Sequence, residues 1–442
     1  MSTVPFVQAA ADSAATLLPS LPGADQTWLA KARREQLEAF VRDGLPDTHV
    51  EEWKYTALRA LSRRQYVQGD AQAATRTVDV DALALPGVDG PRLVFVNGAY
   101  RADLSVLDGL PAGVSLTPLS QALSGDAESL RFFLARDWQS TGDVFARLNA
   151  ALAADGVVLR VAAGCVVGKP LHVVHAGASA PDALAWHARH IIELGEGASL
   201  KLVEHHAGAD NNANLGTLVS DIVLRADAKL DWLQLQDAAA DATLIRRTDL
   251  HLDARAQCNF SGVELGGSLA RHQLAVELRG DGARLDTHGV FLPRKRQHLD
   301  THIDIRHDAL NTTSHSLWRG VADERGRGVF HGQIIVAPGA DGADADLNNK
   351  NLLLSPNAEI DTQPVLEIYA DEVMAVHGAT VGQLDEQALF YLRSRGIPVE
   401  QARSLLTVAF CRAGLAGVDN KALREHLDAL MASHLPQAGE AA

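Results

Sequence analysis

Four segments of this chain repeat one local design, and that repetition constrains the fold more than any other feature. Leu194-Gly195-Glu196-Gly197-Ala198-Ser199-Leu200, Leu224-Arg225-Ala226-Asp227-Ala228-Lys229-Leu230, Leu252-Asp253-Ala254-Arg255-Ala256-Gln257-Cys258 and Leu278-Arg279-Gly280-Asp281-Gly282-Ala283-Arg284 begin 30, 28 and 26 residues apart. Small residues at alternate positions after an apolar run suit a recurrent tight corner, and a period in this range is that of a stacked β-solenoid. An antiparallel sandwich whose turns share Gly and Ala fits the spacing as well, so the repeat alone leaves both architectures open.

The repeats sit inside a stretch from about Gly156 to Val373, where short Val, Ile and Leu runs alternate with polar residues between Gly, Asp and Asn breaks, the pattern of strands. Before it, residues 1–155 read as a mainly helical unit. Asp25 is placed to cap a helix carrying Trp28, Ala32, Leu37 and Phe40 and stopping near Gly44. Leu93 to Val96 followed by Asn97-Gly98 reads as a strand entering a tight turn, and Val144 to Leu152 as a helix. After Gly382, Asp385 caps a helix ending at Gly396, Pro398 starts a second, and Lys421 to Ser433 forms a third. The expected units are therefore 1–155, a strand-rich core over 156–376, and a helical part over 377–442.

Composition narrows the function. Forty Lys plus Arg against 55 Asp plus Glu give a net charge of −15, which disfavours nucleic acid and anionic lipid as partners. No run approaches a membrane span, no leader is read at the start, and three scattered cysteines, Cys165, Cys258 and Cys411, fit a reducing compartment, so a cytoplasmic location is expected. Gly164-Cys165-Val166-Val167-Gly168-Lys169-Pro170 lacks Walker A spacing and the hydroxyl that binds magnesium, so no nucleotide is expected on this chain. Three isolated cysteines cannot hold a conventional iron–sulfur cluster unaided. Cys258 and Cys411 read as core residues, and Cys165 stays undecided.

Eighteen histidines include His187 with His190, His205 with His206, and His298, His302 and His307. His298 and His302 share a face under period-2 alternation, where a solvated polar ladder is the expectation, and the same reading extends to the earlier pairs. The alternation of Asp300, His302 and Asp304 would also suit the groove of a solenoid carbohydrate-active enzyme. His377, in His377-Gly378-Ala379-Thr380-Val381-Gly382, precedes a Gly-rich break at a strand-to-helix seam, where an imidazole can be presented to a metal.

The run from Asn349-Lys350-Asn351-Leu352-Leu353-Leu354 through Pro364-Val365-Leu366-Glu367-Ile368 and His377-Gly378-Ala379-Thr380 to Phe390-Tyr391-Leu392-Arg393-Ser394-Arg395-Gly396 resembles the SufD family of the Suf iron–sulfur cluster assembly machinery. Glu52-Trp53-Lys54-Tyr55-Thr56, Val96-Asn97-Gly98, Ser314-His315 and Phe330-His331-Gly332-Gln333-Ile334 extend the likeness over nearly the whole chain. The resemblance implies a mainly β fold, a right-handed parallel β-helix flanked by helical parts. It implies a non-enzymatic scaffold that pairs with SufB through the β-helix and with the ATPase SufC through the C-terminal helices. It implies His377 as a ligand for iron or for a nascent iron–sulfur cluster shared with SufB; a flavin on the assembled complex is left undetermined. Some relatives carry Cys two positions before that histidine, where this chain has Ala375. A SufB-like role and a homodimer of the isolated chain are the alternatives.

Overall fold

The computed structural model describes residues 4–70, 72–208 and 212–435. From Val157 to Gly382 the chain winds through a parallel β-solenoid of about seven turns, so the repeat does mark stacked coils and not a sandwich. Each coil places one strand in sheet A, turns a corner, and places the next in sheet B. Sheet A stacks 157–161, 184–194, 215–224, 243–252, 269–278, 298–307, 327–336 and 359–368, and sheet B stacks 171–177, 199–208, 229–237, 257–264, 284–291, 313–322, 343–353 and 373–382.

The heptads are the corners. Gly197, Asp227, Arg255, Gly282 and Asn311 all have φ between 55° and 69°, and each donates its N–H to a corner carbonyl of the next coil, as from Asp227 to Ala254 O and from Arg255 to Asp281 O, both 2.9 Å. A left-handed residue costs about 1–2 kcal/mol when it is not glycine. Here the inter-coil hydrogen bond offsets that cost. The next residue faces the lumen at its narrowest point, so it is small and fully buried: Ala198, Ala228, Ala256, Ala283 and, in the next coil, Thr312.

Three apolar cores account for most of the packing. The lumen is filled by stacked Leu, Ile and Val with Trp232, Phe260, Phe291, Trp318 and Phe330. The N-terminal helices, Pro5–Leu17, Thr27–Asp43 and Val144–Leu152, pack on sheet A through Phe6, Phe40 and Phe145, joined by Trp53 of the turn Glu51–Trp53. The C-terminal helices lie on sheet B, where Leu423, Leu427 and Met431 of Lys421–His434 meet Val203, Leu233 and Val263. Cys258 and Cys411 are core residues as expected, and burial pushes both thiols up. Cys165 is half-buried.

Several details depart from the expectations. Strands 92–96 and 114–118, from the N-terminal part, add to the two sheets and cap the first coil. The last strand runs from Val373 to Gly382, so the 376/377 boundary falls within it. Asp25 bonds Gln26 Nε2, while Gln26 occupies the cap position of the helix that does stop at Gly44. Asp385, by contrast, caps its helix through Gln387 N and Ala388 N. Among the described residues no helix is long and apolar enough to cross a membrane.

Candidate functional site: the open end of the solenoid

The first coil is covered and the last is not. Among the described residues, strands 359–368 and 373–382 each have a hydrogen-bonded neighbour on one side only, leaving two parallel edges unpaired. Register decides which side chains face the lumen there. His377 pairs with Leu347, which is buried, and Ile360 pairs with the buried Gly328. By alternation, Val373, Ala375, His377, Ala379 and Val381 line one lip of the mouth and Ile360, Thr362, Pro364, Leu366 and Ile368 the other. His377 is the one ionisable group among the ten, and it is exposed. Tyr369, Met374 and Val376 are exposed on or next to these two strands, and Phe390 and Tyr391 are exposed on the helix Glu386–Ser394 that follows. His377 therefore stands within an edge strand, not at the seam that follows it.

The floor of the mouth is polar in one place. Asn349 and Asn351 are buried in the lumen and bond each other, Asn351 Nδ2 to Asn349 Oδ1 at 2.6 Å. Thr362 Oγ1 donates to Asn349 Oδ1 across the lumen at 2.9 Å, and Asn351 Nδ2 donates to Thr380 O at 3.1 Å. Three strands of the last two coils are thus tied beneath His377. The Asn-Lys-Asn run carried this signal in the sequence, but its direction needed the register.

The other histidines are not a solvated ladder. His298 and His302 do share the outer face of sheet A, yet the segment 51–56 covers that face. Thr56 Oγ1 donates to Asp300 Oδ2 at 2.6 Å, Arg271 bonds Asp300 and stacks 4.3 Å from the Trp53 ring, and His302 Nε2 lies 2.9 Å from Asp300. Burial alone would raise the Asp300 carboxyl, but Arg271, His302 and His298 outweigh it and hold it well below the carboxylate range. Locked this way, Asp300 and His302 are unavailable as a glycosidase-type pair. His187, His190, His205, His206 and His307 are buried as well, the first between Thr217 and Gln68, the last between Thr312 and Ser314. Burial pushes His190, His205 and His307 down to about 4. The surface reading failed because period-2 alternation gives a face and not what covers it. Among the described residues no group of three or more His, Cys, Asp or Glu is arranged to hold a metal ion.

Comparison with known proteins places this architecture. The family model for the SUF system FeS cluster assembly SufBD core domain matches residues 175–410, and that for the SufBD protein N-terminal region matches 21–173. Iron-sulfur cluster assembly protein SufD of Escherichia coli (strain K12) is 31% identical, over 93% of this chain and 95% of its own. An iron-sulfur cluster assembly SufBD family protein of Synechocystis is 28% identical over 88% and 87%, and SufB of Bacillus subtilis 26% identical over 75% and 72%. The chain belongs to the SufBD family of iron–sulfur cluster assembly proteins, and its sequence is SufD-like.

Proposed function

We propose that the chain is a scaffold subunit, not an ATPase, whose bare last coil stacks on the matching coil of a SufB-type partner. His377 then holds iron or the nascent cluster at the junction. One observation carries this reading: the mouth is an apolar, unpaired β edge with a single ionisable side chain at its centre. Backbone edges supply affinity when a strand is added, and the apolar lips supply buried area. The cluster is cargo, and a junction between two chains answers the shortage of thiolates, since Ala375 leaves His377 as the sole ligand candidate on this side. The exposed Phe390 and Tyr391 give the C-terminal helices a docking surface for the SufC-type ATPase.

Co-expression with SufB and SufC tests the proposal. A ternary complex is expected that assembles clusters, and His377→Ala should assemble with its partners but lose cluster formation. Full cluster formation by His377→Ala would remove the ligand role and leave the scaffold role standing. A chain that forms only homodimers in the presence of SufB would overturn the pairing.

A further inference from the structure

Outside the lumen, neighbouring coils are tied to one another by ion pairs. Arg160 meets Glu193 at 3.1 Å, Arg225 meets Asp253 at 3.5 Å, Arg255 meets Asp227 at 2.6 Å and Arg327 meets Glu359 at 2.6 Å, each pair joining one coil to the next. Adjacent strands of a sheet lie about 4.8 Å apart, so a long cationic side chain on one coil reaches a carboxylate on its neighbour.

The last coil carries charge that is not met in this way. From Glu359 to Gly382 there are five carboxylates, Glu359, Asp361, Glu367, Asp371 and Glu372, and no Lys or Arg. By alternation with the lip residues Ile360, Thr362 and Leu366, Asp361 and Glu367 stand half-buried on the outer face of sheet A. Asp371 and Glu372 are exposed on the corner between the two open strands. Arg327 is taken by Glu359, and among the described residues no Lys or Arg forms an ion pair with the other four.

Their surroundings add no compensating charge. Burial and the neighbouring Glu359 push the Asp361 carboxyl up, against the pull of Arg327. Glu367 is held by neutral donors, Gln333 Nε2 at 2.8 Å and Tyr369 Oη at 3.1 Å. From the N-terminal part, Gln363 Nε2 donates to Glu51 Oε1 at 3.2 Å, and the segment that holds Glu51 brings Glu51 and Glu52 against Lys54. Lys350 stands on the other sheet, in register with Thr380.

A coil stacked on the open edges brings its own side chains within the Debye length of this rim, about 8 Å at physiological ionic strength. A second copy of the chain presents the same rim, so self-stacking sets like charges together. A coil with Lys or Arg at the matching outer positions instead extends the inter-coil ion pairs by one step.

We propose that Asp361, Glu367, Asp371 and Glu372 select the partner by charge: the coil accepted at the mouth carries Lys or Arg on its outer face, and a second copy of this chain is disfavoured. The unpaired edges and apolar lips make the docking site, and the carboxylates decide which coil it takes. The inference rests on the proposed pairing with a SufB-type partner and states the chemistry of that partner's rim.

Salt separates the two pairings. The native chain is titrated with purified SufB, and sedimented alone, in about 50 mM and about 500 mM sodium chloride. The Kd for SufB should rise at least about tenfold over that range, whereas self-association should tighten as the salt rises. The isosteric variant Asp361→Asn, Glu367→Gln, Asp371→Asn, Glu372→Gln should keep the native melting temperature, bind SufB about tenfold more weakly at low salt, and lose the salt dependence. A SufB complex whose affinity ignores both the salt and the four amides overturns the selection by charge and leaves the pairing standing. Self-association that is tighter at low salt than at high overturns it as well. A folded native chain that forms no SufB complex at either salt overturns the pairing itself and the selection with it.

Discussion

The two ends of the solenoid are built from the same coil and present opposite chemistry. At the N-terminal end the hairpin of Arg92–Val96 and Ala99–Tyr100, turning through Asn97 and Gly98 in the left-handed region, closes the first coil, and Phe95 stacks 5.2 Å from His175. The lumen behind it contains Glu204, His206, Gln234, Arg246 and Glu264, all buried. At the C-terminal end no described strand pairs with the free edges of 359–368 and 373–382, the lips are apolar apart from Thr362 and His377, and His377 is exposed. A covered coil can keep ionisable groups only by pairing them, whereas a bare one can keep a single unpaired imidazole because water, or a partner, satisfies it. Position along the solenoid, not residue type, separates a structural histidine from a candidate ligand.

A charge placed in the closed lumen and one placed on the open lip should break this comparison most sharply. Leu250→Asp, in the fully buried lumen, should cost about 4 kcal/mol or more and yield little folded chain. Ala379→Asp, on the open lip, should leave the melting temperature of the isolated chain almost unchanged. It should weaken pairing with SufB at least about 100-fold, because the carboxylate becomes buried without a partner only on docking. Titration of the purified subunits would read this directly, and unchanged affinity would show that the mouth is not the contact.

Acid provides the next effect. His190, His205 and His307 are held near 4 in the folded chain against 6.5 for the free side chain. The unfolded chain therefore takes up protons that the folded chain refuses, and stability falls as pH drops from 6.5 toward 4. Each such histidine contributes on the order of 1.4 kcal/mol of loss per pH unit across that window. Denaturant midpoints should be flat above pH 7 and fall steeply below 6.5; a flat profile down to pH 5 would contradict the buried neutral assignment.

Asn349→Leu should cost about 1–3 kcal/mol, since it strands Asn351 and Thr362 in the lumen. The loss should appear as faster hydrogen exchange in 373–382 with 257–264 unaffected. The smallest effect is expected at His307, the one polar member of the lumen column Leu194, Leu224, Leu252, Leu278, His307 and Val336. Replacing His307, Thr312 and Ser314 together by Leu, Ala and Leu, the residues of the preceding coil, should change stability by about 1 kcal/mol or less, because all three partners leave at once. It should also make the acid transition shallower.

The sequence by itself determined the coil. A left-handed residue followed by a small one, recurring at 26 to 30 residues, is a local requirement of the corner, and local requirements leave a local mark in Leu194–Leu200 and its three echoes. The next corner lacks this mark because His307 and Thr312 meet the same packing demand with a polar set. The caps at Asp385 and Gly396, the stop at Gly44 and the Asn97-Gly98 turn were legible for the same reason. What the tertiary structure alone decided is cover. Segment 51–56 folds over His298 and Asp300, the N-terminal strands close over His175 and His190, and no described segment closes over His377. Alternation in a strand fixes the face of a side chain, but whether that face meets water, a helix or an open edge depends on contacts hundreds of residues away, as Thr56 with Asp300 shows.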